Sequence, residues 1–241
     1  MSKKEPPLHF PFVHEEHRLS MTTENYLLSI SRLEEQNIKV TAAHLSEHFK
    51  HMPLAEGIGI SLPSVSAMIR RLIREKLILT TPDKQVIFTK LGRQLAESIL
   101  RRHRLAERLV VDLLGVDLKL AHKEAHRLEH AISPYLEHRI VEALKHPTTC
   151  PFGHPIPGSA YKTHEPLVRL SEAIIGKIYS VNRIPEDDEY LLSYFVDKGF
   201  LPGIQVILKD FSSSRGVVTV LCEDRELVFS ISVASLVLIN E

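Results

Sequence analysis

Two short stretches bring together residue types that bind metal ions. In Arg102-His103-Arg104-Leu105-Ala106-Glu107, His103 and Glu107 stand four residues apart. In His122-Lys123-Glu124-Ala125-His126-Arg127-Leu128-Glu129-His130, His122 and His126 are one helical turn apart, and Glu129 and His130 follow His126 at three and four residues. Residues at those spacings share a helix face, so His126, Glu129 and His130 can converge on one ion. Imidazole nitrogen together with carboxylate oxygen suits manganese, iron, cobalt, nickel or zinc in the divalent state. A single histidine on a helix is more often a surface or satisfied core residue, but so dense a set, matched by a pair on another helix, favours ligation. A zinc-type hydrolase is the competing reading. Its helix signature needs Glu directly after the first His, as base on a metal-bound water. Lys123 holds that place and Glu124 falls elsewhere on the helix. No catalytic residue is assigned. A third reading is a DNA-binding protein whose histidines are incidental.

The elements that must position these side chains are also legible. Helical spacing of Tyr26, Leu27, Ile30 and Leu33 predicts a first helix from about Thr22 to Glu35, with capping chemistry in Thr22, Thr23 and Glu24. Thr41 is placed to cap a second short helix. Ser61-Leu62-Pro63-Ser64 opens a third, where proline suits the first turn because its missing N–H has no partner there. Two β-rich runs, Leu77–Thr81 and Val86–Thr89, flank a turn at Pro82-Asp83-Lys84 and predict a hairpin. Three helices and a hairpin give the winged helix-turn-helix order, the third helix reading the major groove. Long helices are expected over residues 91–114, 118–128 and 134–144, apolar enough to need a dimer partner. The segment His146–Gly158 holds four prolines and reads as a rigid loop. Beyond it, short strands near residues 176–181, 205–208, 217–222, 227–231 and 237–239 predict a small barrel.

Composition narrows the function class. The 241 residues carry 30 Lys/Arg and 30 Asp/Glu, so net charge by itself gives no indication of nucleic acid. Its distribution does. Residues 61–110 hold eleven Lys/Arg against four Asp/Glu, a local balance of +7, whereas residues 161–241 hold eight against twelve, a balance of −4. A basic cluster on the third helix, hairpin and following helix points to DNA phosphates. Cys150 and Cys222 are the only cysteines, too few for a disulfide framework, and fit a reducing cytoplasm. No run resembles a membrane span or a signal peptide, so a cytoplasmic protein with no membrane partner is expected.

The sequence resembles the diphtheria toxin repressor family of iron- and manganese-dependent regulators. The resemblance runs from about Thr22 to the C-terminus. It is densest in Arg102-His-Arg-Leu-Ala-Glu-Arg108, in His122-x-Glu-Ala-x-Arg-x-Glu-His130 and in the Pro-x-Gly-x-Pro-Ile-Pro-Gly run ending at Gly158. It implies a mainly α protein with a small β domain, in five parts. These are a loose extension (1–20), a winged helix-turn-helix domain (21–90), a helical dimerisation and metal-binding domain (91–158), a linker (159–170) and an SH3-like, FeoA-like barrel (171–241). It also implies that Mn(II) or Fe(II), two ions per subunit, enables a homodimer to bind a palindromic operator in double-stranded DNA and repress metal uptake.

Carried over residue by residue, the resemblance assigns an ancillary site to His103, Glu107 and His122, with Asp188 from the C-terminal domain. It assigns a primary site to His126, Glu129 and His130, with Asn25 from the first helix. Iron-type relatives carry Cys and Met where this chain has His126 and Asn25, and manganese-type relatives carry carboxylates at both. The DNA-facing set comprises Ser61, Pro63, Ser64 and Ser66 on the reader helix, Thr41 before the second helix, and Arg71 and Arg74 for phosphates. The stretch from His51 to Ile60 is longer than the family's usual turn, and Ala67 replaces a polar residue on the reader helix.

Overall fold

The computed structural model describes residues 19–51, 59–162 and 166–241. Nearly all of the expected N-terminal extension, most of the stretch between His51 and Ile60, and three residues of the expected linker lie outside the described residues. Three helices come first: α1 (Met21–Glu35), α2 (Ala42–His51) and α3 (Leu62–Arg74). Ser20, one residue ahead of α1, is its cap, accepting a hydrogen bond from the Thr23 N–H at 3.2 Å. Ser61 caps α3 in the same way and Pro63 sits in its first turn, as the sequence predicts. Val65, Ile69 and Leu72 form the buried stripe of α3, and its first turn is left exposed at Ser61, Pro63 and Ser64.

Strands β1 (Ile78–Thr80) and β2 (Val86–Phe88) pair antiparallel, with Ile78 opposite Phe88. The Val86 N–H donates to the Val40 carbonyl at 2.8 Å, joining the hairpin to the segment before α2. Helix α4 (Lys90–Arg108) begins directly against β1: a Cβ on Gly92 would lie 1.8 Å from the Leu77 carbonyl oxygen, so only glycine fits. The expected long helix therefore starts as predicted, but its last turn, Leu109–Leu113, widens into a π-helix. Such a turn is uncommon and frequently occurs at functional sites.

Two compact units make up the chain. One holds α1, α2 to Glu47, α3, the hairpin and α4 to Leu100; the other holds the end of α2 and runs from Arg101 to Glu241. In the second unit α5 (Leu118–Leu128), a 3-10 turn at Glu129–Ala131 and α6 (Pro134–Ala143) precede a sheet of β3 (Val168–Arg169), β4 (Ile178–Arg183), β5 (Gln205–Ser212), β6 (Val217–Cys222), β7 (Arg225–Ser230) and β8 (Leu238–Asn240). Sheet order is β3-β8-β4-β5-β6-β7, antiparallel throughout. Two helices interrupt the strands, α7 (Glu189–Lys198) and α8 (Ile231–Ala234). Alternation explains the sheet: in β6 Val218, Val220 and Cys222 are buried and their neighbours are not. Helix α7 has no counterpart in the sequence reading.

One apolar core spans the helical and β parts of this unit. Val110, Ala121, Cys150 and Phe152 pack in it with Val181, Ile184, Phe195 and Phe200. Cys150 and Phe152 bring the proline-rich loop into it. Gly153 adopts φ +90°, and a Cβ there would lie 1.9 Å from the Asn182 carbonyl oxygen. Hydrogen bonds from Ile184 N–H to the Phe152 carbonyl (3.1 Å) and between His154 Nε2 and the Ile184 carbonyl (3.0 Å) then fix the chain leaving β4. Arginines of α4 grip the same loop: Arg101 donates to the Pro157 carbonyl at 2.7 Å, Arg104 to Pro155 at 2.6 Å and Arg108 to Thr149 at 2.7 Å. These three, spaced to share a face, hold structure together and account for part of the basic cluster assigned above to DNA. Among the described residues, no helix is long and apolar enough to cross a membrane.

Candidate metal centre

Helix α4 projects His103 and Glu107 from one face, as the four-residue spacing requires, and α5 projects His122 toward them. His103 Nε2 lies 2.8 Å from Glu107 Oε1 and 3.2 Å from His122 Nδ1, which is itself 3.0 Å from the same carboxylate oxygen. The fourth member of this group is Glu186, on the segment between β4 and α7. All four are buried.

Asp188 was expected in that place; the residue the structure gathers there is Glu186. Its Oδ1 accepts from the N–H groups of Tyr190 and Leu191, both at 3.0 Å, capping α7. Asp is a favoured cap residue, and a side chain so occupied faces the helix it starts. Two residues earlier, Glu186 precedes the helix and is buried. Its Oε2 accepts from the Cys150 thiol at 3.7 Å. Burial pushes the Cys150 thiol well above its ordinary value, with the carboxylates of Glu107 and Glu186 adding to the shift, so the sulfur keeps its proton. Cys150 was read only as evidence of compartment. Its position in the proline-rich loop that closes on α4 was the available signal.

A second group gathers His103, His126 and Glu129. Helix α5 ends at Leu128, so Glu129 and His130 sit on the 3-10 turn and not on a continuous α-helix. Their side chains nevertheless meet: Glu129 Oε1 is 3.0 Å from His126 Nδ1 and 3.4 Å from His130 Nε2. The other oxygen, Oε2, hydrogen-bonds His103 Nδ1. His103 thus touches both groups, one through each ring nitrogen.

Several buried donor and acceptor atoms here have no aligned hydrogen bond among the described residues: Glu107 Oε2, Glu129 Oε1 and His126 Nδ1. His126 Nδ1 and Glu129 Oε1 are close as an ion pair without the alignment of a hydrogen bond. Buried polar atoms are nearly always satisfied, so unsatisfied ones at one spot need an explanation. Burial alone would raise the Glu129 carboxyl, but His103 and His126 outweigh it and hold the group well below the usual carboxylate range. Glu107 is held down in the same way by His103 and His122. Burial pushes His126 below its ordinary value, opposed by the Glu129 carboxylate. Anionic carboxylates beside imidazole nitrogens, buried together, form the donor set that a divalent cation satisfies.

The remaining predicted residues are placed as follows. Asn25 lies on α1, buried, and its Oδ1 has no hydrogen bond among the described residues. Thr41 Oγ1 accepts from the His44 N–H at 3.3 Å and so caps α2. Ser61, Pro63 and Ser64 are exposed, Ser66 is half-buried, and Arg71 and Arg74 are exposed. Arg71 pairs with Glu75 at 2.7 Å. Of the residues weighed for the hydrolase alternative, Glu124 accepts from Arg127 at 2.5 Å, and Lys123 extends to within 4.0 Å of Glu189.

Residues 89–158 match the family described as iron dependent repressor, metal binding and dimerisation domain, and residues 168–241 match the FeoA domain. The iron-dependent repressor IdeR of Mycobacterium tuberculosis (strain H37Rv) is 34% identical over 220 residues, covering 86% of this chain and 91% of the relative. The chain belongs to the iron-dependent repressor family. The diphtheria toxin repressor of Corynebacterium diphtheriae is 39% identical over 137 residues, 57% of each chain. Among solved structures, a manganese-dependent transcriptional repressor in complex with manganese aligns with TM-score 0.79 at 28% identity over 91% of this chain and 99% of that one. The manganese regulator SloR aligns with TM-score 0.75 at 28% identity, over 92% of this chain and all of the other. This is a family of metal-dependent transcriptional repressors and not of enzymes.

Proposed function

We propose that this chain is a cytoplasmic repressor that binds palindromic operators as a homodimer when Mn(II) or Fe(II) occupies two sites per subunit. The observation that carries this reading is the pair of buried His/carboxylate groups whose oxygens Glu107 Oε2 and Glu129 Oε1 lack hydrogen bonds. His103, Glu107, His122 and Glu186 hold one ion. His126, Glu129 and His130 hold the other, with Asn25 as the donor from the DNA-binding unit. The cation, when bound, supplies positive charge for the buried carboxylates and a fixed geometry for their donors. Asn25 supports the reading through its own unsatisfied buried Oδ1. A donor set of nitrogen and oxygen without sulfur in the second group favours Mn(II) slightly over Fe(II), while its imidazoles keep Zn(II) binding tight. Metal can favour the DNA-binding arrangement only by binding it better, and a donor from each unit supplies that difference.

The test is binding to palindromic duplexes selected from a randomised pool, at matched free Mn(II), anaerobic Fe(II), Co(II) and Zn(II). Activation by Mn(II) or Fe(II) at micromolar free concentration is expected; activation by Zn(II) alone would overturn the metal assignment. On the DNA side, Ser64→Ala changes preference among duplexes, whereas Arg74→Ala weakens all alike and reduces the log–log salt slope by about 0.9, one phosphate's worth. A salt-insensitive complex would overturn the electrostatic account.

A further inference from the structure

Helix α3 buries Val65, Ile69 and Leu72. The ridge opposite that stripe is then Pro63, Ala67, Arg70 and Arg74, at spacings of four, three and four residues. All four are exposed. A reader helix meets base edges with the face turned away from its own core, and distinguishes them through hydrogen bonds and methyl contacts. Few uncommitted polar groups stand on that side of α3. Pro63 and Ala67 carry no side-chain donor or acceptor. At the helix start, Ser61 Oγ accepts from the Ser64 N–H at 3.3 Å and lies 2.9 Å from Ser64 Oγ, so the two hydroxyls are already bonded to each other in the cap. On the flank, Arg71 Nε donates to Glu75 Oε1 at 2.7 Å. Arg70 and Arg74 keep their guanidinium groups uncommitted among the described residues.

These two arginines are not equivalent. A helical side chain leans toward the N-terminus and covers the turn before its own Cα. Arg70 therefore reaches back over Ala67, whose single methyl group leaves that part of the ridge open. Its fork is carried toward the N-terminal half of the helix, the half that meets base edges. Arg74 is the last residue of α3 and reaches back only as far as Arg70. Resting on the operator-binding reading above, we propose that Arg70 is a specificity-determining residue, reading one guanine in each half-site through O6 and N7. The planar guanidinium matches those two acceptors bidentately, the commonest specific contact in the major groove. Arg74 keeps the phosphate role given to it above.

The experiment uses the full-length protein with whichever of Mn(II), Fe(II), Co(II) and Zn(II) activates it, and a duplex selected from the randomised pool. Every base pair of one half-site is replaced in turn, and the affinity of wild type, Arg70→Ala and Arg70→Lys is measured for each duplex. At one G·C pair the wild type should lose about tenfold or more on replacement by any other pair. A 7-deazaguanine there, which lacks only the N7 acceptor, should cost part of that loss. Arg70→Ala should bind all four pairs at that position within about twofold of one another, while keeping the wild-type preference elsewhere. Arg70→Lys keeps the charge and loses the fork, so the salt slope should stay while most of the discrimination goes. Arg70 is exposed and bonds nothing among the described residues, so neither variant should melt differently from wild type. Uniform weakening of Arg70→Ala on every duplex, with a salt slope reduced by about 0.9, would make Arg70 a phosphate contact and overturn the proposal. Preferences unchanged in Arg70→Ala, or a selected half-site with no required G·C pair, would also overturn it. A wild type that selects no duplex with any of the four metals would instead overturn the operator-binding reading, and the proposal with it.

Discussion

The two groups differ in completeness. His103, Glu107, His122 and Glu186 bring four donors together inside one compact unit, three from two helices and one from the chain leaving β4. His126 and Glu129, with His130 beside them, offer fewer donors from that unit, and one oxygen of Glu129 is already engaged by His103. On the reading proposed above, a set with four donors from one unit holds a cation without a donor from the DNA-binding unit. A set short of a donor is filled well only when another part of the chain supplies it. On that reading, the group with fewer donors is the switch and the four-donor group supports it.

That contrast is most sharply broken by mutation of the incomplete group. His126→Ala or Glu129→Ala should lower metal-enabled DNA affinity by on the order of 100-fold, the upper range of coupling between sites, while the dimer stays folded. Fluorescence anisotropy with an operator duplex, alongside sedimentation, measures both. Unchanged metal dependence in His126→Ala would place the switch elsewhere. For the complete group the effect is smaller. His122→Ala or Glu186→Gln should lower metal-enabled DNA affinity by about tenfold, because what is lost is support for the switch. A loss as large as that of His126→Ala would erase the distinction drawn here.

The two groups also differ in how far the sequence disclosed them. The clustering of helix-borne residues was legible because the 3.6-residue period turns spacing into direction: His103 and Glu107, or His122 and His126, needed no tertiary knowledge. The winged order of elements was legible for the same reason, through Ser61-Leu-Pro-Ser and the turn at Pro82-Asp83-Lys84. Glu186 was not, because its direction depends on where β4 ends and α7 begins, and α7 was unread. Its segment sits among strand-like runs, and only the pairing of β4 with β5 and β8 leaves residues 189–198 free to coil. The basic cluster misled in part for a related reason. Arg101, Arg104 and Arg108 look like a phosphate-binding face in sequence, yet the carbonyls of the proline-rich loop lie across from them in space.

The smallest expected effect concerns the residue that caps α7 beside the metal group. Asp188 caps α7 through two N–H groups, and removing such a cap costs about 1 kcal/mol. Asp188→Ala should therefore lower the thermal midpoint by a few degrees at most, and Asp188→Asn, whose amide oxygen also accepts, should restore most of it. Neither should change the number of ions bound, since the side chain faces the helix and not the metal group. Glu186→Gln is the counterpart: nearly the same shape, no charge, and an expected loss of first-group binding with little change in the apo protein's melting. Isothermal titration with Mn(II) and thermal melts on these three variants and the wild type separate cap from ligand. If Asp188→Asn lost an ion while Glu186→Gln kept both, the carboxylate assignment would be reversed, and the completeness of the first group would have to be rebuilt on a different turn of the chain.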